Sequence, residues 1–313
     1  MTRRGGAAGA TRAARGTSQR TIGILAAIGA AAAWGFGATT SDYVLSSGMG
    51  NDTFLVLELS VGFVVLMVIG ALRGQLGGFR HPGLTRAAAT GLIEPWGAYT
   101  LGNIGIIFSS GAFVALVSSL NPVLVALLAL PFLGERVSGT AAALMVVSIG
   151  GVGLVIGGDA FGGSLNPLGI LFSALGLICG ATYSLVSSKL VRTVPVLPLV
   201  ASQLLVAALA SAAVLAVRVG LLGGDPGIPT EFSVWAVAIA TGIFGGAAPF
   251  ILFLEATKRI PTTTTSQFGT LVPVIALVGG ILFLGDQPSG FQLIGTAIVV
   301  AALTALARYT RSH

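Results

Sequence analysis

Charge is what this chain has least of. Only 8% of its 313 residues are Asp, Glu, Lys or Arg, against roughly a quarter in ordinary soluble domains. A soluble core of this size needs a polar shell that so few charges do not provide. Cysteine is nearly absent too: Cys179 stands alone, which excludes an intramolecular disulfide and a cysteine metal cage and leaves small apolar packing as its role. The two histidines, His81 and His313, fall in a loop and at the terminus, so no histidine is available for a metal site inside the apolar stretches. There is no G-x-S-x-G elbow, no P-loop and no H-E-x-x-H pattern. An ATP-driven pump, a zinc hydrolase and other enzymes are unsupported, and neither cofactor nor metal is expected.

What fills the chain instead is apolar sequence, 54% of the residues. Charge-free runs over 21–41, 137–158, 160–188, 193–217, 232–254, 260–285 and 287–307 each reach the roughly 20 residues of a spanning helix. A further run, 95–134, is long enough for two helices turning near Ser109-Ser110-Gly111. The spacing predicts ten spans, at 21–41, 53–72, 87–107, 111–133, 139–157, 168–188, 198–221, 232–254, 262–284 and 289–308. Glycine and proline clusters mark the turns at 74–83, 157–167 and 223–229. The loops leave no room for a soluble domain.

Basic residues sort by loop. With the N-terminus inside, 15 lysines and arginines lie on the cytoplasmic side and only Arg218 lies outside. This asymmetry predicts a multi-pass protein of the cytoplasmic membrane with both termini in the cytoplasm. It also accounts for the net charge of +6 without a nucleic-acid partner. Residues 1–20 hold arginine but no acid and read as a disordered tail, serving as topology determinant or anchor to anionic headgroups. No signal-peptidase site is evident before Thr21, and 309–313 form a short cytoplasmic tail.

The chain repeats itself. Residues 89–139 align without a gap on 240–290, an offset of 151, with 12 identities in 51 positions. Ala89-Thr90-Gly91 meets Ala240-Thr241-Gly242, Pro122-Val123 meets Pro273-Val274, and Phe132-Leu133-Gly134 meets Phe283-Leu284-Gly285. Five spans per half is an odd number, so the second half crosses in the opposite sense. The fold expected is an all-α membrane protein of ten helices, arranged as inverted repeats over 21–157 and 168–308, with a site between the halves.

Ser119-Leu120-Asn121-Pro122 through Gly134-Glu135-Arg136, and its weaker copy Leu271-Val272-Pro273 through Gly285-Asp286, resemble the fourth helix and following turn of EamA-type carriers in the drug/metabolite transporter superfamily. Trp34-Gly35 and Gly180-Ala181-Thr182-Tyr183 are similar to the corresponding segments of the first helix of each unit. The resemblance implies a secondary carrier whose cavity is lined by helices one, three, four, six, eight and nine, and whose relatives mostly export amino acids, drugs or other metabolites. It does not name a substrate, a direction or a coupling ion.

Candidate cavity residues come from polar and aromatic groups at span depth. Glu94, about 10 Å into the third span at 1.5 Å per residue, is costly there unless it meets water or a partner. It reads as a proton-coupling carboxylate or as a protonated packing group. Pro95 leaves the Gly91 carbonyl unbonded, and only a distortion there lets Glu94 share a cavity with the stripe Trp96, Tyr99 and Asn103. Thr263, Thr264, Gln267 and Thr270 form a polar stripe, for a solute or for bonding back to their own helix. Ser118 and Asn121, Tyr183 and Ser187, and Trp34 complete the set, each with packing as its alternative. Asp42 and Glu58 read as reaching headgroup water. The leading reading is a transporter of a small organic metabolite or drug, possibly an amino acid, acting as an exporter with or without protons. The alternatives are a flippase or binder of lipid-linked headgroups and, more remotely, a membrane enzyme. Nothing in the sequence supports or excludes a homodimer.

Overall fold

The computed structural model describes residues 4–108, 114, 117–156, 166–284 and 287–312, and among them there is helix and connecting turn but no strand. Ten helices follow in order. They are α1 (Arg4–Ser46), α2 (Asn51–Leu72), α3 (84–108), α4 (Asn121–Leu133) and α5 (Gly139–Ile156), then α6 (Pro167–Leu190), α7 (Val196–Gly220), α8 (Phe232–Thr257), α9 (Thr262–Leu282) and α10 (Gly290–Ser312). Eight have the length and apolarity to cross a bilayer unaided; α3 is broken into short segments and α4 is shorter. The expected turns at 109–111 and within 157–165, Asp286 and the side chain of Asp42 lie outside the described residues.

The first helix runs back into the segment expected as an N-terminal tail. It starts at Arg4, because residues 4–20 contain alanine and arginine, both good helix formers, and no proline to stop propagation from the span. Pro122 lies in the first turn of α4, where a missing N–H costs nothing.

Packing runs mainly between the halves. The pair α5 and α10, and the pair α2 and α7, each join a helix to its own repeat counterpart. Contacts of α1 with α8 and α9 are repeated by α6 with α3 and α4, and that of α2 with α8 by α7 with α3. Exchanging each helix with the one five places along therefore maps the packing onto itself, which is how inverted repeats about a two-fold axis pack. Small residues permit these crossings: a Cβ on Gly295 of α10 would stand 2.5 Å from the Gly151 carbonyl oxygen of α5. Leu127, Val146, Leu209, Leu282 and Phe291 project outward, more than half exposed, as a lipid-facing surface requires.

Two irregularities position the site. In α3, Glu94 leaves helical geometry (φ −152°, ψ 133°) inside a wide turn over Ile93–Gly97, with Pro95 lacking the N–H that would close the regular ladder. In α8 a wide turn spans Gly242–Ala247, at the place equivalent by the repeat offset. At the end of α4, Gly134 adopts φ +71°, a left-handed cap open to glycine without strain. That cap turns Glu135 toward α9. Its carboxylate accepts the backbone N–H groups of Thr262 and Thr263 and the Thr263 hydroxyl, each at 3.0 Å. The Gly-Glu pair of the sequence motif thus ties the first half to the N-terminus of α9 in the second, satisfying N–H groups that a helix start leaves open.

Candidate functional site

At the seam between the halves lies a cavity of about 50 Å³. Its polar and aromatic lining is Trp34 (α1), Glu94 (α3), Asn121 (α4), Tyr183 and Ser184 (α6), Phe253 (α8), and Thr265 and Ser266 (α9). These are the six helices that the family resemblance implies. The break at Glu94 is what turns its side chain inward: an added methyl at Gly180 of α6 would lie 3.6 Å from Glu94 Oε2. A volume this small holds a few waters rather than an organic solute.

The chemistry of the lining is narrow. Ser184, Thr265 and Ser266 donate their hydroxyls to carbonyls of their own chain segment, at 2.9, 3.1 and 3.0 Å. Trp34 Nε1 donates to the Tyr99 hydroxyl at 3.2 Å, and the Tyr183 hydroxyl donates to Gln203 Oε1 at 3.1 Å. Among the described residues, the Glu94 carboxylate has no hydrogen-bond or ion-pair partner, and Asn121 Oδ1 is buried without one. These two oxygen groups are acceptors, the Asn121 amide nitrogen adds a donor, and no basic side chain lines the cavity. Aromatic rings back it: Trp34 meets Phe250 edge-on at 5.5 Å and Phe253 at 5.7 Å, and Tyr183 meets Phe250 edge-on at 5.7 Å.

The structure brings Trp34, Glu94, Asn121 and Tyr183 together and places the other expected residues elsewhere. Tyr99 stands behind Trp34 as its hydrogen-bond acceptor. Trp96 packs against the apolar core between the halves. Asn103 reaches the first turn of α2 and donates to Asn51. Ser118 is exposed. Ser187 accepts from Gln203 at 3.2 Å and faces α7. Thr270 is fully buried and donates to the Gln267 carbonyl at 2.9 Å, the back-bonding alternative for a threonine. Thr263 and Gln267 line a different cavity, toward the ends that carry Arg136 and Arg259. The expected stripe on α9 picked that second face, whereas Thr265 and Ser266 point to the centre.

Two further buried polar residues matter, Gln203, which carried no expectation, and Glu58, which carried a different one. Gln203, an amide inside the apolar run of α7, is 1% exposed and joins Tyr183, Ser187 and Thr90, donating to Thr90 Oγ1 at 2.6 Å. It fixes the orientation of Tyr183. Glu58 corrects the headgroup expectation: it is 4% exposed and packed on α8. A Cβ on Gly245, the repeat counterpart of Glu94, would lie 3.2 Å from Glu58 Oε1. A buried acid thus stands near the equivalent place in the second half, supplied by another helix.

Comparison with known proteins agrees with this arrangement. The EamA-like transporter family matches twice, over residues 21–157 and 167–308. Protein PecM of Dickeya dadantii is 29% identical over 222 residues, 66% of this chain and 72% of its own. The threonine/homoserine exporter RhtA of Escherichia coli K12 is 31% identical over 91 residues, 29% of this chain and 30% of its own. RhtA of Salmonella typhimurium SL1344 is 29% identical over 72 residues, so the match spans only 24% of that exporter's length and 23% of this chain. A solved crystal structure shares the fold, with a TM-score of 0.79 over 92% of this chain and 98% of that one, at 22% identity.

Proposed function

The chain belongs to the EamA-like transporter family, and on that footing we propose that it is a secondary carrier exporting a small organic solute that presents an ammonium or hydroxyl group, with amino acids as the first class to test. One observation carries the reading. The seam cavity sets the Glu94 carboxylate beside Asn121, whose Oδ1 is buried without a partner, among aromatic rings with no base in the lining. A cation or hydroxyl donor satisfies them; an anionic headgroup faces the Glu94 carboxylate with no base in the lining to offset it. The aromatic faces of Trp34 and Tyr183 suit an ammonium as well. The outward direction follows the threonine/homoserine exporters.

Exchange follows from a single carboxylate. Glu94 holds either a proton or the solute's ammonium, so loading one releases the other, and a proton gradient drives the solute the opposite way. The Glu135 bridge to Thr262 and Thr263 closes the arginine-rich end in this conformation. Access from that end requires the bridge to part while the opposite end stays tied by Asp52–Arg218 at 2.7 Å and by Gly50 N–H to the Gly227 carbonyl at 2.9 Å.

The test is flux in proteoliposomes. Vesicles loaded with labelled threonine or homoserine should lose label when a pH gradient is imposed, and Glu94→Gln should abolish that response. Equal gradient-driven flux in wild type and Glu94→Gln would remove the acid from the mechanism. Lipid scrambling without solute flux would favour a flippase instead.

A further inference from the structure

The second cavity, about 270 Å³, is chemically opposite to the first. Arg20 of α1, Arg136 of the α4–α5 turn and Arg259 of the α8–α9 turn line it, with Thr263 and Gln267 of α9 and Tyr309 of α10. No acid is among its lining residues. Two acids beside its arginines in sequence or contact are already engaged. Both Glu135 oxygens hold the start of α9, and Glu255 pairs with Arg259, whose Nε also donates to Gln19 at 3.2 Å. Arg136 has no hydrogen-bond or ion-pair partner among the described residues. Gln267, 1% exposed, lines the wall with Oε1 unpartnered, while its Nε2 reaches only the Ala141 carbonyl at 3.4 Å. A buried amide left open in this way is costly unless something bonds to it.

We propose that this cavity is a binding site for a phosphate group that also carries a hydrogen-bond donor, separate from the seam cavity. Arginines from three different elements line the space, Arg136 among them without a partner in the described residues, a disposition that suits the several oxygens of a tetrahedral oxyanion better than the two of a planar carboxylate. The Gln267 amide complements it: Oε1 accepts from a hydroxyl on the ligand, and the second N–H of Nε2 donates to an oxygen. Monohydrogen phosphate and phosphate monoesters have this pattern, as does a phosphatidylglycerol headgroup, which has a phosphate and free hydroxyls. Because α1, the turn of the first half and α9 all contribute, an anion held here adds to the Glu135 bridge in closing this end.

The site is separable from transport in its readout. Purified full-length protein in a neutral detergent is titrated with inorganic phosphate against potassium chloride at constant ionic strength, following thermal unfolding; a bound ligand raises the midpoint by mass action. In a second arm, protein in nanodiscs of phosphatidylcholine with or without phosphatidylglycerol is assayed for co-purified lipid by native mass spectrometry. A phosphate-dependent shift assigns an aqueous source, and retained phosphatidylglycerol assigns the membrane. In whichever arm responds, Arg136→Gln should weaken binding about tenfold or more, as should Gln267→Leu, while Arg73→Gln, on a turn away from the cavity, should not. Arg136 is exposed in a turn, so its variant leaves the core intact and decides the matter if Gln267→Leu fails to fold. No response in either arm, or a response that Arg136→Gln leaves unchanged, overturns the proposal.

Discussion

At the same place in the two repeats, α3 carries Glu94-Pro95 and α8 carries Gly245-Gly246. Both helices widen there, over Ile93–Gly97 and Gly242–Ala247, yet only α3 supplies its own acid. In the second half the carboxylate comes from Glu58 of α2, laid against the space beside Gly245. The seam cavity includes Glu94 and not Glu58. The irregular backbone is present in both halves, while the chemistry has diverged. A two-fold frame can expose its centre to either side, but an acid on one side of the axis makes the two exposures unequal.

The comparison can be broken most severely at Glu94. Glu94→Gln should lose essentially all gradient-driven flux and flatten its dependence on pH between both sides of the membrane, while Glu58→Gln should keep a pH-dependent flux; equal losses in the two would erase the distinction. Gly245→Ala tests the packing behind it. Its Cβ would meet Glu58 Oε1, Gly37 Cα and Thr241 Cγ2 at 3.2 Å each, and the crowding should cost about 1–3 kcal/mol in reversible unfolding. Gly180→Ala, with only Glu94 Oε2 at 3.6 Å, should leave stability within about 0.5 kcal/mol yet slow the flux by narrowing the cavity. Glu135→Gln retains one acceptor and loses the charge at the start of α9. We expect a loss of about 1.5 kcal/mol in the bridge, read as faster hydrogen exchange at the amides of Thr262 and Thr263. The smallest effect on flux belongs to Thr270→Val. Its hydroxyl bonds only within α9, so flux should be unchanged and stability within about 1 kcal/mol; a large fall in flux would return it to the site.

How much of the site was legible depended on whether a residue's meaning was local. Pro95 announced a distortion because proline lacks an N–H wherever it stands, and the distortion carries Glu94 to the cavity. Gly134 and Glu135 were legible as a turn, but not as a tie to α9, since the partner lies 127 residues away. The hydroxyls were not legible at all. Thr265, Ser266 and Thr270 sit in one polar segment and are all buried, and only the rotation of α9 against its neighbours separates the two that line the cavity from the one that does not. That rotation is altered by a tight turn over Phe268–Thr270, which a stripe drawn on an ideal helix does not contain.

Sequence alone determined the class of this protein: the scarcity of charge demands lipid around it, the apolar runs set ten crossings, and an odd-numbered duplicate inverts the second half. These are one-dimensional constraints, since each segment must satisfy its backbone within itself before it meets any other. Tertiary structure decided which polar groups are spent and which are open. Gln203 became scaffolding, Glu58 a buried acid, Asn121 an open acceptor and Gln267 part of a different cavity, because the partner of each is chosen by helix crossings between halves.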